Sequence, residues 1–224
     1  MMDLSKSYEF FKPEDINCRV HIIGCGSVGS TVAENLARFG ITKITLYDFD
    51  IVEPHNVANQ MFSHSDIGKP KVVAVAENLM SINPDCKKDL VIIGEGYVNQ
   101  NLSGYVFLCV DSVELRQKIV KANKFNNNIR AMFDFRTRLI DAQHYAANWG
   151  VRSDIDNLLK TMDFSHSEAM EATPVSACNV TLSVAPTIRM IVAAGVANFI
   201  NFVKKRELKH VILIDAFNFT MDAM

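Results

Sequence analysis

Short β-branched runs alternate along this chain with stretches whose apolar residues recur every three or four positions. Residues 19–23 form such a run, closed by Gly24, and predict a buried strand. Val28, Val32, Leu36 and Phe39 then follow the spacing of an amphipathic helix, which Gly40 stops. Residues 44–47 predict a second strand, ended by the acidic pair Asp48 and Asp50. Strand, helix and strand within about thirty residues make a βαβ unit, and hence a parallel sheet. Helical spacing resumes over residues 71–82, through Val72, Val75, Ala76 and Leu79, and Asn83-Pro84-Asp85 ends it. Further strands are expected over residues 90–93, 105–110, 130–135 and 143–147. Residues 111–124 predict a helix with Asp111 or Ser112 near its N-cap. A long helix rich in small residues is expected over 186–203, and a last strand over 210–219. Residues 51–70 read as a polar loop with one helical turn, and residues 152–174 carry no assignable pattern. The expected fold is α/β and Rossmann-like, a mostly parallel central sheet with helices on both faces. One domain over residues 1–224 is the simplest organisation, its glycine-rich βαβ half at about 17–115.

Composition narrows the class. With 49% hydrophobic and 21% charged residues the 224-residue chain is ordinary for a globular protein. A formal net charge of −2 gives no broad attraction to nucleic acid or to an anionic membrane, and neither partner is expected. The five cysteines are scattered without zinc-site spacing, which fits buried thiols in a reducing compartment. Residues 1–15 lack the apolar core of a signal peptide. The apolar stretch at 184–203 is interrupted by Pro186, Arg189, Asn198 and Asn201, so it reads as a helix buried in protein. A cytoplasmic location is expected.

The chemistry begins at Gly24-Cys25-Gly26-Ser27-Val28-Gly29, a G-x-G-x-x-G turn between strand and helix. Gly24 suits the tight turn, Gly26 lets a phosphate approach the backbone, and Gly29 lets the helix pack on the strand. Free N–H groups at the helix start, around Ser27, then face the phosphates. Asp48, at the end of the second strand, is placed to accept hydrogen bonds from ribose hydroxyls. This fingerprint does not separate ATP from NAD or FAD, and a turn that merely packs tightly is the plainer alternative.

The loop after Asp48 tips the choice toward ATP. It delivers Asn56, Asn59 and Gln60, then Lys71 at a helix start beside Pro70, where a compact positive charge suits a triphosphate. The run from Val20 to Asp85, VHIIGCGSVGSTVAENLARFGITKITLYDFDIVEPHNVANQMFSHSDIGKPKVVAVAENLMSINPD, resembles the nucleotide-binding half of the ThiF/MoeB/E1 family. The similarity continues through VFLCVDSVELR, Val106 to Arg116, and covers about two thirds of the chain. The resemblance implies an adenylyltransferase that activates the C-terminal carboxylate of a ubiquitin-like protein or a peptide as an acyl-adenylate, with ATP and Mg²⁺. By position it implies that Asp48 binds ribose, Asn56 shapes the site, Lys71 holds phosphates and Asp111 coordinates Mg²⁺. Asp50, Asn59 and Gln60 complete the loop side of the nucleotide site. The plainer readings are a solvated helix-start lysine for Lys71 and a simple N-cap for Asp111.

Two departures stand out. Many family members carry an arginine before the loop glutamine, where this chain has Asn59, and it has no arginine before Arg19, only Lys6 and Lys12. Arg136, Arg138 and Arg152 are the candidate compensating cations. Cys178, before the long helix, is the best placed cysteine for a thioester; Cys25 and Cys109 read as structural. His55 and His64 read as exposed loop residues. Ala193, Ala194, Gly195 and Ala197 permit close helix packing, in a homodimer or within one subunit. Two other functions are carried alongside: a catalytically impaired nucleotide-binding interaction module, and an NAD(P)-dependent oxidoreductase.

Overall fold

A computed structural model describes residues 2–164 and 182–224. The βαβ unit is β1 (Val20–Ile23), α1 (Ser27–Arg38) and β2 (Ile44–Tyr47). After it come α2 (Lys71–Ile82), the single turn α3 (Cys86–Asp89), β3 (Val91–Ile93), β4 (Gly104–Leu108) and α4 (Val113–Ala122). The chain continues with β5 (Ile129–Thr137), β6 (Asp141–Asn148), α5 (Arg152–Lys160), α6 (Ala185–Lys205), β7 (Val211–Asp215) and β8 (Thr220–Ala223).

The eight strands form one sheet in the order β3-β2-β1-β4-β5-β6-β7-β8. Pairings from β3 to β5 are parallel, and those from β5 to β8 are antiparallel. Alternate strand residues enter two apolar layers, as the strand period of two requires. Ile22, Leu46, Phe107 and Phe133 pack with α1, α2 and α6, whereas Ile23, Val106, Leu108 and Met132 pack with α4 and α5. This is the α/β, Rossmann-like arrangement expected, with helices on both faces.

α6 is long and apolar enough to cross a membrane by length and composition, yet Ile188, Ile191, Val192 and Phe199 are buried against the sheet. Gly195 explains part of its small-residue content internally, since a Cβ there would lie 2.3 Å from the Phe135 ring. Ala193 and Ala197 are exposed.

The expected strand over 210–219 is corrected to a hairpin. Asp215 Oδ1 accepts the N–H groups of Phe217 (3.1 Å) and Asn218 (3.0 Å), and Phe219 takes a φ of 57°. This Asx turn reverses the chain, and the apolar pattern that suggested continuity belongs to the exposed Phe217 and Phe219. Residues 152–160, unassigned from the sequence, form α5 with Ile155 and Leu158 on its buried face. The strands expected over 130–135 and 143–147 extend into the β5–β6 hairpin. The loop over 51–70 holds two 3-10 turns, Pro54–Ala58 and His64–Asp66.

Gly29 and Gly26 should respond very differently to alanine. A Cβ on Gly29 would sit 1.8 Å from the Gly24 carbonyl oxygen, whereas one on Gly26 would meet nothing within 4 Å. Gly29→Ala should therefore cost about 3 kcal/mol or more, and Gly26→Ala less than about 1 kcal/mol, in chemical denaturation. Equal losses would contradict this packing.

His21 and His144 give the fold a pH dependence. Burial depresses each ring to about 4. Each stays neutral in the fold while the unfolded chain takes up a proton near the ordinary histidine value. Stability is thus complete above that value and lost as pH falls toward about 4, with a slope of up to two protons. Denaturation midpoints measured across this range should fall steadily with acid, and His144→Gln should flatten the slope; an unchanged slope would refute the assignment.

Candidate active site

The strand order reverses between β1 and β4, and connections leaving these two strands run to opposite sides. A crevice must open where they part, beyond the carboxyl ends of the strands. A cleft of about 590 Å³ occupies that place. Its base is held by backbone bonds from Gly24 N–H to Tyr47 O and from Cys109 N–H to Ile23 O, both 2.8 Å. Gly24 has a φ of +94°, and a Cβ there would lie 2.7 Å from Cys109 O, so only glycine lets β1 turn this close to β4. Gly26 and Ser27 line the cleft at the start of α1; Gly29 does not, and serves to bring the helix onto the turn.

Asp48 is fixed on both oxygens. Oδ2 accepts Cys25 N–H at 2.6 Å and Oδ1 accepts Asp50 N–H at 2.9 Å. Burial raises its carboxyl above the ordinary value, offset in part by those two N–H groups and by Lys71. The carboxylate lies by the N-terminus of α1, where the helix dipole favours negative charge. Lys71 is buried rather than solvated. Its backbone N–H reaches Asp50 O at 2.9 Å and its Nζ reaches Asp50 Oδ2 at 2.8 Å. Both residues line the cleft.

In the loop, Asn56 Oδ1 accepts Glu53 N–H at 2.9 Å and the residue is buried. Asn59 donates from Nδ2 to Ser183 Oγ, just before α6. Gln60 lines the cleft, and its Oε1 is buried with no partner among the described residues. Asp111 lines the cleft from the turn after β4 and is not the cap of α4; Ser112 Oγ takes that role, accepting Leu115 N–H at 3.1 Å. His55 lines the rim, and His64 lies outside the cleft.

Of the three candidate compensating arginines, the fold brings Arg136 and Arg138 to the cleft. Arg152 is directed elsewhere, its guanidinium 4.2 Å over the Phe125 ring and bonded to Lys124 O. Cys109 lies one residue past β4 and lines the cleft, but burial pushes its thiol far up, as it does that of Cys25. Neither is a thiolate nucleophile in this setting. Cys178 lies outside the described residues.

Sequence reasoning missed Arg116, Phe49 and Tyr97, which also line the cleft. Phe49 directly follows the strand-ending aspartate, which was the available signal for it, whereas Arg116, within a helix between Glu114 and Gln117, carried none. The walls carry Asp48, Asp50, Glu95, Asp111 and Asp141 against Lys71, Arg116, Arg136 and Arg138. These nearly balanced charges give no strong attraction for a bare triphosphate. Among the described residues no three His, Cys, Asp or Glu side chains form a metal cluster. A divalent cation would therefore need ligand oxygens besides any carboxylate of the wall, Asp111 among them.

The chain is similar in sequence to curated proteins. Ubiquitin-like modifier-activating enzyme 5 of Drosophila persimilis is 34% identical over 134 residues, 53% of this chain and 34% of its own. The Dictyostelium discoideum protein of the same name is 42% identical over 84 residues, 38% of this chain and 21% of its own. The chain thus spans about a third or less of the length of these relatives. Among solved structures, E. coli MccB with ATP matches with a TM-score of 0.68 and 21% identity, over 95% of this chain and 65% of that one. PaaA matches with a TM-score of 0.69 and 16% identity, over 99% and 68%. The ThiF family model aligns with residues 16–224, taking in the glycine turn, the loop with Lys71 and the whole sheet, and the chain belongs to the ThiF family.

Proposed function

We propose that this chain adenylates a carboxylate, using ATP with Mg²⁺ and acting on the C-terminus of a ubiquitin-like protein or a peptide. The observation that carries this reading is convergence: the glycine turn, the buried Lys71 and the Asp111 carboxylate line one crevice. The names of the relatives support it, as does the fold shared with MccB, which has been crystallised with ATP and with AMPCPP plus MccA.

In the reaction, a carboxylate oxygen bonds to the α-phosphorus while the bond to the bridging oxygen breaks, and pyrophosphate leaves with that electron pair. Negative charge grows on the phosphate oxygens, and the Lys71 ammonium, held by Asp50 at the α2 N-terminus, is the group to meet it. The α1 N-terminus presents backbone N–H groups to phosphate, and Gly26 leaves them uncovered. Asp48 and the unpartnered Gln60 Oε1 offer acceptors to ligand hydroxyl or amino groups. When bound, Mg²⁺ supplies Lewis-acid neutralisation, and Asp111 is the residue that would hold it. A second copy packing on the exposed Ala193 and Ala197 belongs to the same proposal.

Pyrophosphate–ATP exchange driven by a carboxylate-bearing partner is the direct test. Lys71→Ala and Asp111→Ala should each lower exchange by about 100-fold or more. Mg-ATP should raise the melting temperature more than NAD does, by linkage to the folded state. Exchange untouched by both substitutions would refute the roles of Lys71 and Asp111, Mg-ATP binding without exchange would leave a nucleotide-binding interaction module, and a larger shift with NAD would return the oxidoreductase reading.

A further inference from the structure

Asp111 sits on a turn that its own side chain does not secure. Among the described residues, no hydrogen bond or ion pair holds its carboxylate. The turn is gripped by Arg116. Its guanidinium donates to Val110 O and, at 3.5 Å, to Leu108 O, the carbonyls on either side of Cys109. The same guanidinium donates to Asp134 Oδ1 on β5. Both partners are out of water, with side-chain exposures of 6% and 0%. Asp134 Oδ2 accepts Arg136 Nε at 2.8 Å, and Arg136 continues to Thr161 O at 2.5 Å and Thr161 Oγ1 at 2.8 Å, at the end of α5. One buried carboxylate therefore anchors two guanidiniums and, through one of them, the backbone that carries Asp111.

We propose that Asp134 is a positioning residue: acting through Arg116, it sets the place at which the Asp111 carboxylate meets a phosphate-bound divalent cation. The inference rests on the adenylation reading for the identity of that ligand. The physical argument is that a guanidinium confined away from water needs a counter-charge. With Asp134 its charge is met and it braces the turn. Without it, Arg116 is left beside a turn whose one carboxylate, Asp111, is unpartnered, and pairing between them would remove Asp111 from the cation. The loss should therefore fall on cation-dependent binding and spare the glycine turn and Lys71.

Nucleotide affinity measured by calorimetry with Mg²⁺ and again with EDTA separates these effects. The wild-type protein should bind ATP more tightly with Mg²⁺, and Asp111→Asn should abolish that gain. Asp134→Asn should reduce the gain by about 10-fold or more, as for other outer groups that orient a metal ligand, while leaving affinity in EDTA unchanged. The paramagnetic signal of Mn²⁺ bound with ATP should weaken in parallel. Should Asp134→Asn not fold, Arg116→Lys is the second variant: its ammonium keeps the charge pair but cannot also span the Val110 carbonyl, and the same selective loss is expected. A full Mg²⁺ gain in the variant that folds, or equal loss with and without Mg²⁺, would overturn the positioning role. If the wild-type protein shows no Mg²⁺ gain, the adenylation reading fails and takes this inference with it. If Asp111→Asn loses the gain while the Asp134 and Arg116 variants keep it, that reading stands and the positioning role alone falls.

Discussion

The contact between the Gly29 Cα and the Gly24 carbonyl sets everything that follows. A single Cβ would place an atom 1.8 Å from that oxygen. Because none is there, α1 seats its first turn directly on the end of β1. Gly24, in the left-handed region, brings that end against the carbonyl of Cys109. The end of β1, the start of α1 and the distant segment after β4 thereby meet at one point. The cleft, its row of helix-start amides and the approach of Asp111 are consequences of that seating, since Cys109 and Val110 lead straight into Asp111.

Charge is organised around the same point in complementary pairs. Asp48 is tied to Cys25 N–H, and Lys71 to Asp50. Each pairing is short, and each holds an ionisable group that burial alone would discourage. Such pairs contribute little net stability, because desolvation offsets the attraction. What they provide is position: the lysine and the strand-end aspartate have few other conformations open to them, and a ligand need not order them on arrival. The arginine pair around Asp134 follows the same logic one layer deeper.

Much of this was legible in the sequence, for identifiable reasons. The glycine turn and Asp48 are backbone features, so three glycines and a strand-ending carboxylate specify them locally. The loop with Lys71 was legible as a place, but not its burial, which depends on Asp50 and on the bridge between Ile51 and Pro70. Arg116 was not legible. Between Glu114 and Gln117 on a helix it reads as an ordinary solvated residue, and it is buried because β5 brings Asp134 to it from 18 residues away. The final hairpin was missed because Phe217 and Phe219 mimic a continuing strand, whereas Asp215 turns the chain with its side chain. Local pattern conveys backbone shape well; it does not convey which charge will meet which.

Asn59 shows the same principle at a position where the chain departs from the family resemblance. An arginine there would bring charge to phosphates, but the asparagine amide is engaged with Ser183, linking the nucleotide loop to the approach of α6. Under the adenylation proposal, a cation for the phosphates is then sought among the other arginines that line the cleft. Arg136 has its guanidinium committed to Asp134 and Thr161, and it also stacks 4.4 Å over the Tyr145 ring. Arg138 is held less firmly: its guanidinium lies 4.0 Å from Asp141, and half of its side chain is exposed. Its backbone is nevertheless fixed, with its N–H on Asp141 O at 2.9 Å in the β5–β6 turn. A fixed backbone with a loosely held guanidinium at the cleft wall is the arrangement that lets an arginine reach toward an incoming anion at little cost in ordering. Within the adenylation proposal, Arg138 is thus the arginine of the cleft wall best placed to stand in for the charge missing at Asn59.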